Sequence, residues 1–245
     1  MRTAAPSRLT TTRLSVYLRC LTLLEASGTS TVSSRDLAHQ FHLNSAQIRK
    51  DLATFGEFGV RGFGYDVSHL KAHLVRILGL DKQYRVIIVG AGNLGTALAS
   101  YGGFNSGEFR IVGLFDRSRQ RLKSLATLGF PAHPMSALRG FVKRERVDIA
   151  VLAVPASAGQ KVFDQVTGAG IRAVLNFVPI HLRVPAGIEL SSVDLKVQME
   201  NLAYHLKICR GAGAGETNPG AMKPRTPSAR SRRHPQRTRR PARAH

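Results

Sequence analysis

Leu14, Tyr17, Leu18, Leu21 and Leu24 recur at i, i+3, i+4, i+7 and i+10, the spacing of one face of an α-helix. Thr11 or Thr12 stands where a residue can cap that helix, and Gly28 where one can end it. After a polar break, SSRDLAHQF reads as a second, short helix capped by Ser33, with Asp36 at the third helical position, where a carboxylate suits the positive helix end. A short connector, HLN, leads to a third helix that Asn44 caps, with Gln47 placed as its capping-box partner. Ile48, Leu52 and Phe55 fall on one face of this helix and are expected to pack on the first two. Two short helices joined by a few residues are the helix-turn-helix pattern.

The outer side of the third helix carries Ser45, Gln47, Arg49 and Lys50. Arg, Lys and Gln are the side chains that reach base edges and phosphates from a helix in the major groove. The next stretch, GEFGVRGFGYDV, has the rhythm of a tight hairpin: Gly56, Gly59, Gly62 and Gly64 permit turns and bulges, Val60, Phe63 and Val67 are the expected packing residues, and Arg61 falls near the tip, placed to reach a minor groove. Three helices followed by a hairpin predict a winged helix. The alternative is a small helical domain with an ordinary basic face. Residues 67–80, apolar at Leu70, Leu74, Ile77 and Leu78, predict a linker helix ending at Gly79.

The pattern then changes. YRVIIVG is a run of β-branched residues typical of a buried strand. It enters Gly90-Ala91-Gly92-Asn93-Leu94-Gly95 and an Ala-rich helix. This is G-x-G-x-x-G between strand and helix, where glycines allow a tight turn, close backbone approach to a pyrophosphate and close helix–strand packing. A second strand, FRIVGLFD, ends in Asp116. A carboxylate at that point accepts from the adenosine ribose hydroxyls and repels a 2′-phosphate, which favours NAD(H) over NADP(H); Arg117 beside it is the opposing signal. The loop GGFNSGE accounts for the long spacing from Gly90 to Asp116. Further strands are expected at 147–155, 171–179 and 188–194, so the α/β alternation predicts a parallel, doubly wound sheet. The closing segment places Leu195, Met199, Leu202 and Leu206 on one helix face, suited equally to a partner subunit or to the chain's own core.

A formal charge of +21 points to a polyanionic partner. Much of it lies between Lys223 and Arg243, a Pro-rich stretch with no acid, expected to be a disordered tail that adds sequence-blind attraction to phosphate. Cys20 and Cys209 are far apart and, with no export signal expected, do not suggest a disulfide framework. No apolar run is long enough to span a bilayer, and a cytoplasmic location is expected. No Cys/His metal cluster or nucleophile elbow is present, and His133 and His181, read as solvated loop residues, lack an acid–base partner. A cofactor site without catalytic partners, fused to a DNA reader, suggests regulation by ligand and no enzyme activity.

The segments SVYLRCLTLLE, NSAQIRKDLATFGEFGVRGFGY, VGAGNLGTALASYGGF, LAVPASAGQ, GIRAVLNFVPIHLRVP and SSVDL together resemble the Rex family of bacterial redox-sensing transcriptional repressors, over roughly residues 9–210. The resemblance implies a winged-helix domain at 9–80, a Rossmann NAD(H)-binding domain at 81–193, a dimerisation helix at 194–210 swapped between subunits, and the basic tail at 211–245. It implies a homodimer that binds a palindromic double-stranded operator when NAD+ dominates and leaves it when NADH rises. Arg19, Tyr101 and Asp194 match a switch cluster in the family, and Leu195 would approach the other subunit's nicotinamide pocket. The tail and LKVQMEN in the last helix depart from the family pattern. The rival readings are a small NAD-dependent oxidoreductase or CoA-binding protein with an incidental basic domain, and a sequence-blind DNA binder driven by the tail.

Overall fold

The computed structural model describes residues 6–60, 62–104 and 107–213. Helix α1 (Arg8–Ala26) starts earlier than its leucine spacing suggested. Ser7 is the cap, accepting from the Thr10 N–H, while Thr11 and Thr12 donate back to the Arg8 carbonyl and cap nothing. Helices α2 (Ser34–Phe41) and α3 (Ser45–Ala53) are capped by Ser33 and Asn44 as expected. The Ser33 hydroxyl accepts from the Asp36 N–H at 3.1 Å and donates to the Asp36 carboxylate at 2.6 Å.

A strand not expected from the sequence, β1 (Thr31–Val32), joins β2 (Gly59–Val60) and β3 (Gly64–Asp66) in an antiparallel sheet of order β1-β3-β2. Gly64 makes this possible. It has φ +90, and a Cβ there would collide with the Val32 carbonyl. The wing hairpin departs from expectation in one respect: Val60 and Phe63 are 66% and 81% exposed, and only Val67 packs inward. The hairpin's packing face is filled by Tyr65 of β3, which joins the helical core, and Val60 and Phe63 lie off that face. Helix α4 (Val67–Ile77) is no free linker, because Leu70 and Leu74 pack with Leu14, Leu21, Leu37, Ile48 and Leu52 in one core.

The remaining strands form one parallel sheet. They are β4 (Tyr84–Val89), β5 (Phe109–Asp116), β6 (Ala132–Pro134), β7 (Ile149–Leu152), β8 (Ala173–Asn176) and β9 (Glu189–Ser192). Their order is β6-β5-β4-β7-β8-β9, the doubly wound arrangement. β4 is buried on both faces, which is why it reads as an unbroken apolar run. Ile87 and Val89 pack with Phe141 and Phe163 on one side, Val86 and Ile88 with Ala99 and Leu125 on the other. Helices α5 (Asn93–Ser100), α6 (Arg119–Thr127), α7 (Leu138–Glu145) and α8 (Gly159–Gly168) connect the strands. His133 lies on β6 and not in a loop. Its ring packs 4.6 Å from that of Phe141, and burial pushes its pKa down.

The residues up to Asp194 form one compact unit and those from Leu195 a second. In the second, α9 (Leu195–Gly213) continues past the expected end at 210, and its apolar side chains, including Leu195, Met199, Leu202 and Leu206, are exposed within this chain. The basic tail beyond Gly213 lies outside the described residues. Among the described residues, no helix is long and apolar enough to cross a membrane.

Candidate functional site

Helix α3 is fixed by a buried carboxylate on its inner face. Asp51 is 3% exposed and has four donors. Arg13 of α1 grips it with two bonds, Nε to Oδ2 at 2.6 Å and Nη2 to Oδ1 at 2.7 Å. The Tyr17 hydroxyl donates to Oδ2 at 2.9 Å and Gln47 Nε2 to Oδ1 at 2.8 Å. Bidentate pairing of this kind sets orientation as well as energy. The Arg13 guanidinium holds the Asp51 carboxyl below the usual carboxylate range against the opposing effect of burial. Burial, aided by the bond to Asp51, pushes the Tyr17 phenol up.

The expected DNA-facing residues divide accordingly. Arg49 and Lys50 are exposed on α3, and Ser45 is half-buried in its first turn. Arg49 Nη1 donates to the Ser34 hydroxyl at the start of α2 at 3.0 Å. The Gln47 backbone N–H donates to Asn44 Oδ1 at 3.0 Å, the cap bond; its side chain turns to Asp51 and does not close the expected capping box. Arg61 lies outside the described residues, between β2 and β3.

The glycine turn lies where the strand order reverses, between the carboxyl ends of β4 and β7, the usual crevice for a ligand in such sheets. The three glycines do different things. Gly90 has φ +104, and a Cβ there would run into the Ala153 carbonyl. A Cβ on Gly95 would run into the Gly90 carbonyl. Gly92 faces open space, and it caps α5 with no side-chain bond. The first-turn N–H groups of α5 are therefore presented together with the positive end of the helix. They open on a cleft of about 550 Å³ lined by Gly90, Gly92, Asn93, Leu94, Asp116, Val154, Pro155 and Phe177 among others. Ala91, between the first two glycines, is buried. Uncapped N–H groups beside an apolar-walled cleft fit a pyrophosphate with flat rings on either side.

Comparison with known proteins agrees with both halves. Residues 7–53 match the family model described as "Putative DNA-binding protein N-terminus", and residues 81–180 match the "CoA binding domain" model. The redox-sensing transcriptional repressor Rex of Desulforamulus reducens is 44% identical over 81% of this chain and 94% of its own length. That of Streptomyces coelicolor is 41% identical over 88% and 82%. The chain belongs to the Rex family. Its fold matches the crystal structure of the Rex-family repressor RSP in complex with β-NAD+ and operator DNA, at a TM-score of 0.78 and 36% identity over 88% of this chain and 100% of that one. The structure of RSP with β-NADH matches with a TM-score of 0.77 at 34% identity, over 86% and 99%. This is a family of transcriptional repressors, not of enzymes.

Two features of this Rex chain escaped the sequence reading. One is the Arg13–Asp51 pair, whose signal was a carboxylate three residues from Ile48 on the apolar face of α3. The other is the set of bonds made by Asp116. It is 5% exposed, and its oxygens accept from the Ala91 and Ser118 backbone N–H groups at 2.8 and 2.7 Å. Of the expected switch residues, Arg19 is exposed on α1, and Tyr101, the residue after α5, is 57% exposed with its ring edge-on to Phe104. Asp194 is half-buried at the end of the first unit.

Proposed function

We propose that the chain is a homodimeric repressor that binds a palindromic operator through α3 and the wing and releases it when NADH occupies the glycine-turn cleft. The supporting observation is the presence, in one chain of the Rex family, of an orientation-locked basic helix and an uncapped helix N-terminus behind a glycine turn. RSP, which has been crystallised with β-NAD+ and operator DNA and with β-NADH, aligns with both parts.

Gly90, Ala91, Gly92, Asn93, Leu94 and Gly95 hold the cofactor, with Asp116 fixing the turn. Ser45, Gln47, Arg49 and Lys50 meet the major groove, and Arg61 the minor groove. When bound, the cofactor supplies a difference in nicotinamide charge and planarity between its oxidised and reduced forms. A ligand shifts a conformational equilibrium only by its differential affinity for the two states. Arg19, Tyr101 and Asp194 are the residues that register this difference, and the exposed apolar side chains of α9 carry it to the partner subunit. Two recognition helices must stand about 34–36 Å apart to meet half-sites one helical turn apart. A dimer that closes loses that spacing, and affinity falls with no change in any DNA-facing residue. The protein acts in the cytoplasm, where operator and cofactor pool meet.

The test is a fluorescence-anisotropy titration of the full chain with a palindromic duplex and a scrambled one at physiological salt, with NAD+ and then with added NADH. Selective binding that NADH reverses is the expected result. Equal binding to both duplexes, indifferent to NADH, would assign DNA binding to general charge and end the repressor reading.

A further inference from the structure

The adenosine end of the cleft is built differently from an ordinary NAD(H) subsite. There, the carboxylate at the end of the second strand is free to accept from the ribose hydroxyls. Here Asp116 is turned inward. Besides the two backbone N–H groups, its Oδ2 meets Arg121 Nη1 at 3.5 Å. The carboxylate thus ties the glycine turn to the start of α6, and a guanidinium stands against its charge.

What faces outward is basic. Arg117 and Arg121 are both exposed, and both line the cofactor cleft and an adjoining cleft of about 600 Å³. Ser118, Gln120, Ser124 and Thr96 complete the polar part of that second wall, with no acid among its lining residues. Ser118 caps α6, whose first turn contains no acid. Two guanidinium groups and several hydroxyls lining one wall beside Asp116 are what a phosphomonoester requires. A diol requires none of them.

We propose that this subsite accepts a 2′-phosphate on the adenosine ribose, so that the cleft binds NADP(H) in addition to NAD(H). The inference rests on the cofactor reading above and deepens it: the phosphorylated pool would also act on the sensor. Arg117 would meet the phosphate directly, and Arg121 would bridge it to Asp116.

The experiment is calorimetric titration of the full chain with NADH, NADPH, 2′,5′-ADP, 3′,5′-ADP and 5′-AMP, repeated with Arg117→Ala and with the Arg117→Ala, Arg121→Ala pair. NADPH is expected to bind within about tenfold of NADH, and 2′,5′-ADP at least about tenfold tighter than 5′-AMP, the scale of one charge-assisted contact. The double variant should shift the NADPH to NADH affinity ratio by at least about tenfold against NADPH. NADH binding with NADPH more than about a hundredfold weaker, and a ratio insensitive to the arginines, would overturn the proposal and leave the cofactor reading intact. Equal affinity for 2′,5′-ADP and 3′,5′-ADP would overturn the 2′ assignment, because the attraction would then be one for any ribose phosphate. If neither dinucleotide binds, the cofactor reading fails and this inference with it.

Discussion

At α3 the groups expected to meet DNA are side chains, and two of them already have partners: Gln47, turned in to Asp51, and Arg49 on Ser34. At the start of α5 the outward-facing groups are backbone N–H, and Gly92 offers no side chain to satisfy them. The first surface must exchange internal bonds for external ones when it meets a ligand, so each contact yields only the difference between the two. The second is preorganised and loses nothing of its own on binding. The α3 surface therefore depends on how firmly the helix is held, and the glycine turn on space that no side chain may fill.

The sharpest way to break this comparison is to add single methyl groups to the turn. Gly95→Ala drives a Cβ into the Gly90 carbonyl, a backbone atom that cannot rotate away. It should cost about 3 kcal/mol or more of stability in guanidinium unfolding. Gly92→Ala points into open space. It should stay within about 0.5 kcal/mol of the parent chain yet weaken dinucleotide binding in calorimetry. Equal stability losses at the two positions would mean that the turn is structural throughout.

At α3 the corresponding change is Asp51→Ala, which strands Arg13, Tyr17 and Gln47. One-sided removal of a buried pair costs about 3–5 kcal/mol. Because the Arg13 side chain is 35% exposed and can turn to water, about 2–3 kcal/mol is expected here. Operator affinity should fall by more than the unfolded fraction explains, since α3 loses its orientation. The same pair sets an acid limit. The Asp51 pKa is lowered in the folded chain, so its contribution is complete above the unfolded carboxylate value of about 3.9 and is lost as pH falls through the lower folded value. Asp51→Asn should lack that component in unfolding curves taken across this range. Identical acid profiles for the two chains would show that other carboxylates carry it.

How much of this was legible in the sequence follows from the range of the interactions. Ser33 and Asn44 act on residues three positions away, and the three glycines stand at a fixed spacing between strand and helix, so the pattern announced them. Asp51 draws on Arg13, 38 positions earlier, and Arg13 and Tyr17 become its neighbours only once α1 packs on α3. Asp116 was legible as a strand end, but its inward turn was not, because the Ala91 N–H that holds it comes from another loop. Val60 and Phe63 misled for the opposite reason. They are apolar residues near the hairpin tip, and the wing packs on the core through Tyr65 instead. Arg49 remains the simplest probe of the α3 surface. Arg49→Ala should cost about 1 kcal/mol in operator affinity, the low end for a base-reading arginine, because the parent chain must first release Ser34.

The smallest expected stability effect lies at an ion pair that joins α1 to the parallel sheet. Arg8, in the first turn of α1, donates to the Leu190 carbonyl at 2.9 Å and pairs with Glu189 on β9. Both side chains are largely exposed, and exposed pairs contribute about 0–1 kcal/mol. Arg8→Ala should therefore leave thermal unfolding almost unmoved. Its value is as a test of communication. The helix that holds Asp51 in place is tethered through Arg8 to the edge strand of the cofactor domain, so loosening the tether should reduce the factor by which NADH weakens operator binding. By reciprocity it should reduce equally the factor by which operator weakens NADH binding. The two factors are measured by anisotropy with and without cofactor and by calorimetry with and without duplex. Glu189→Gln should give the same partial loss, since it removes the charge and keeps the strand. Unchanged factors in both variants would mean that the coupling does not run through this tether.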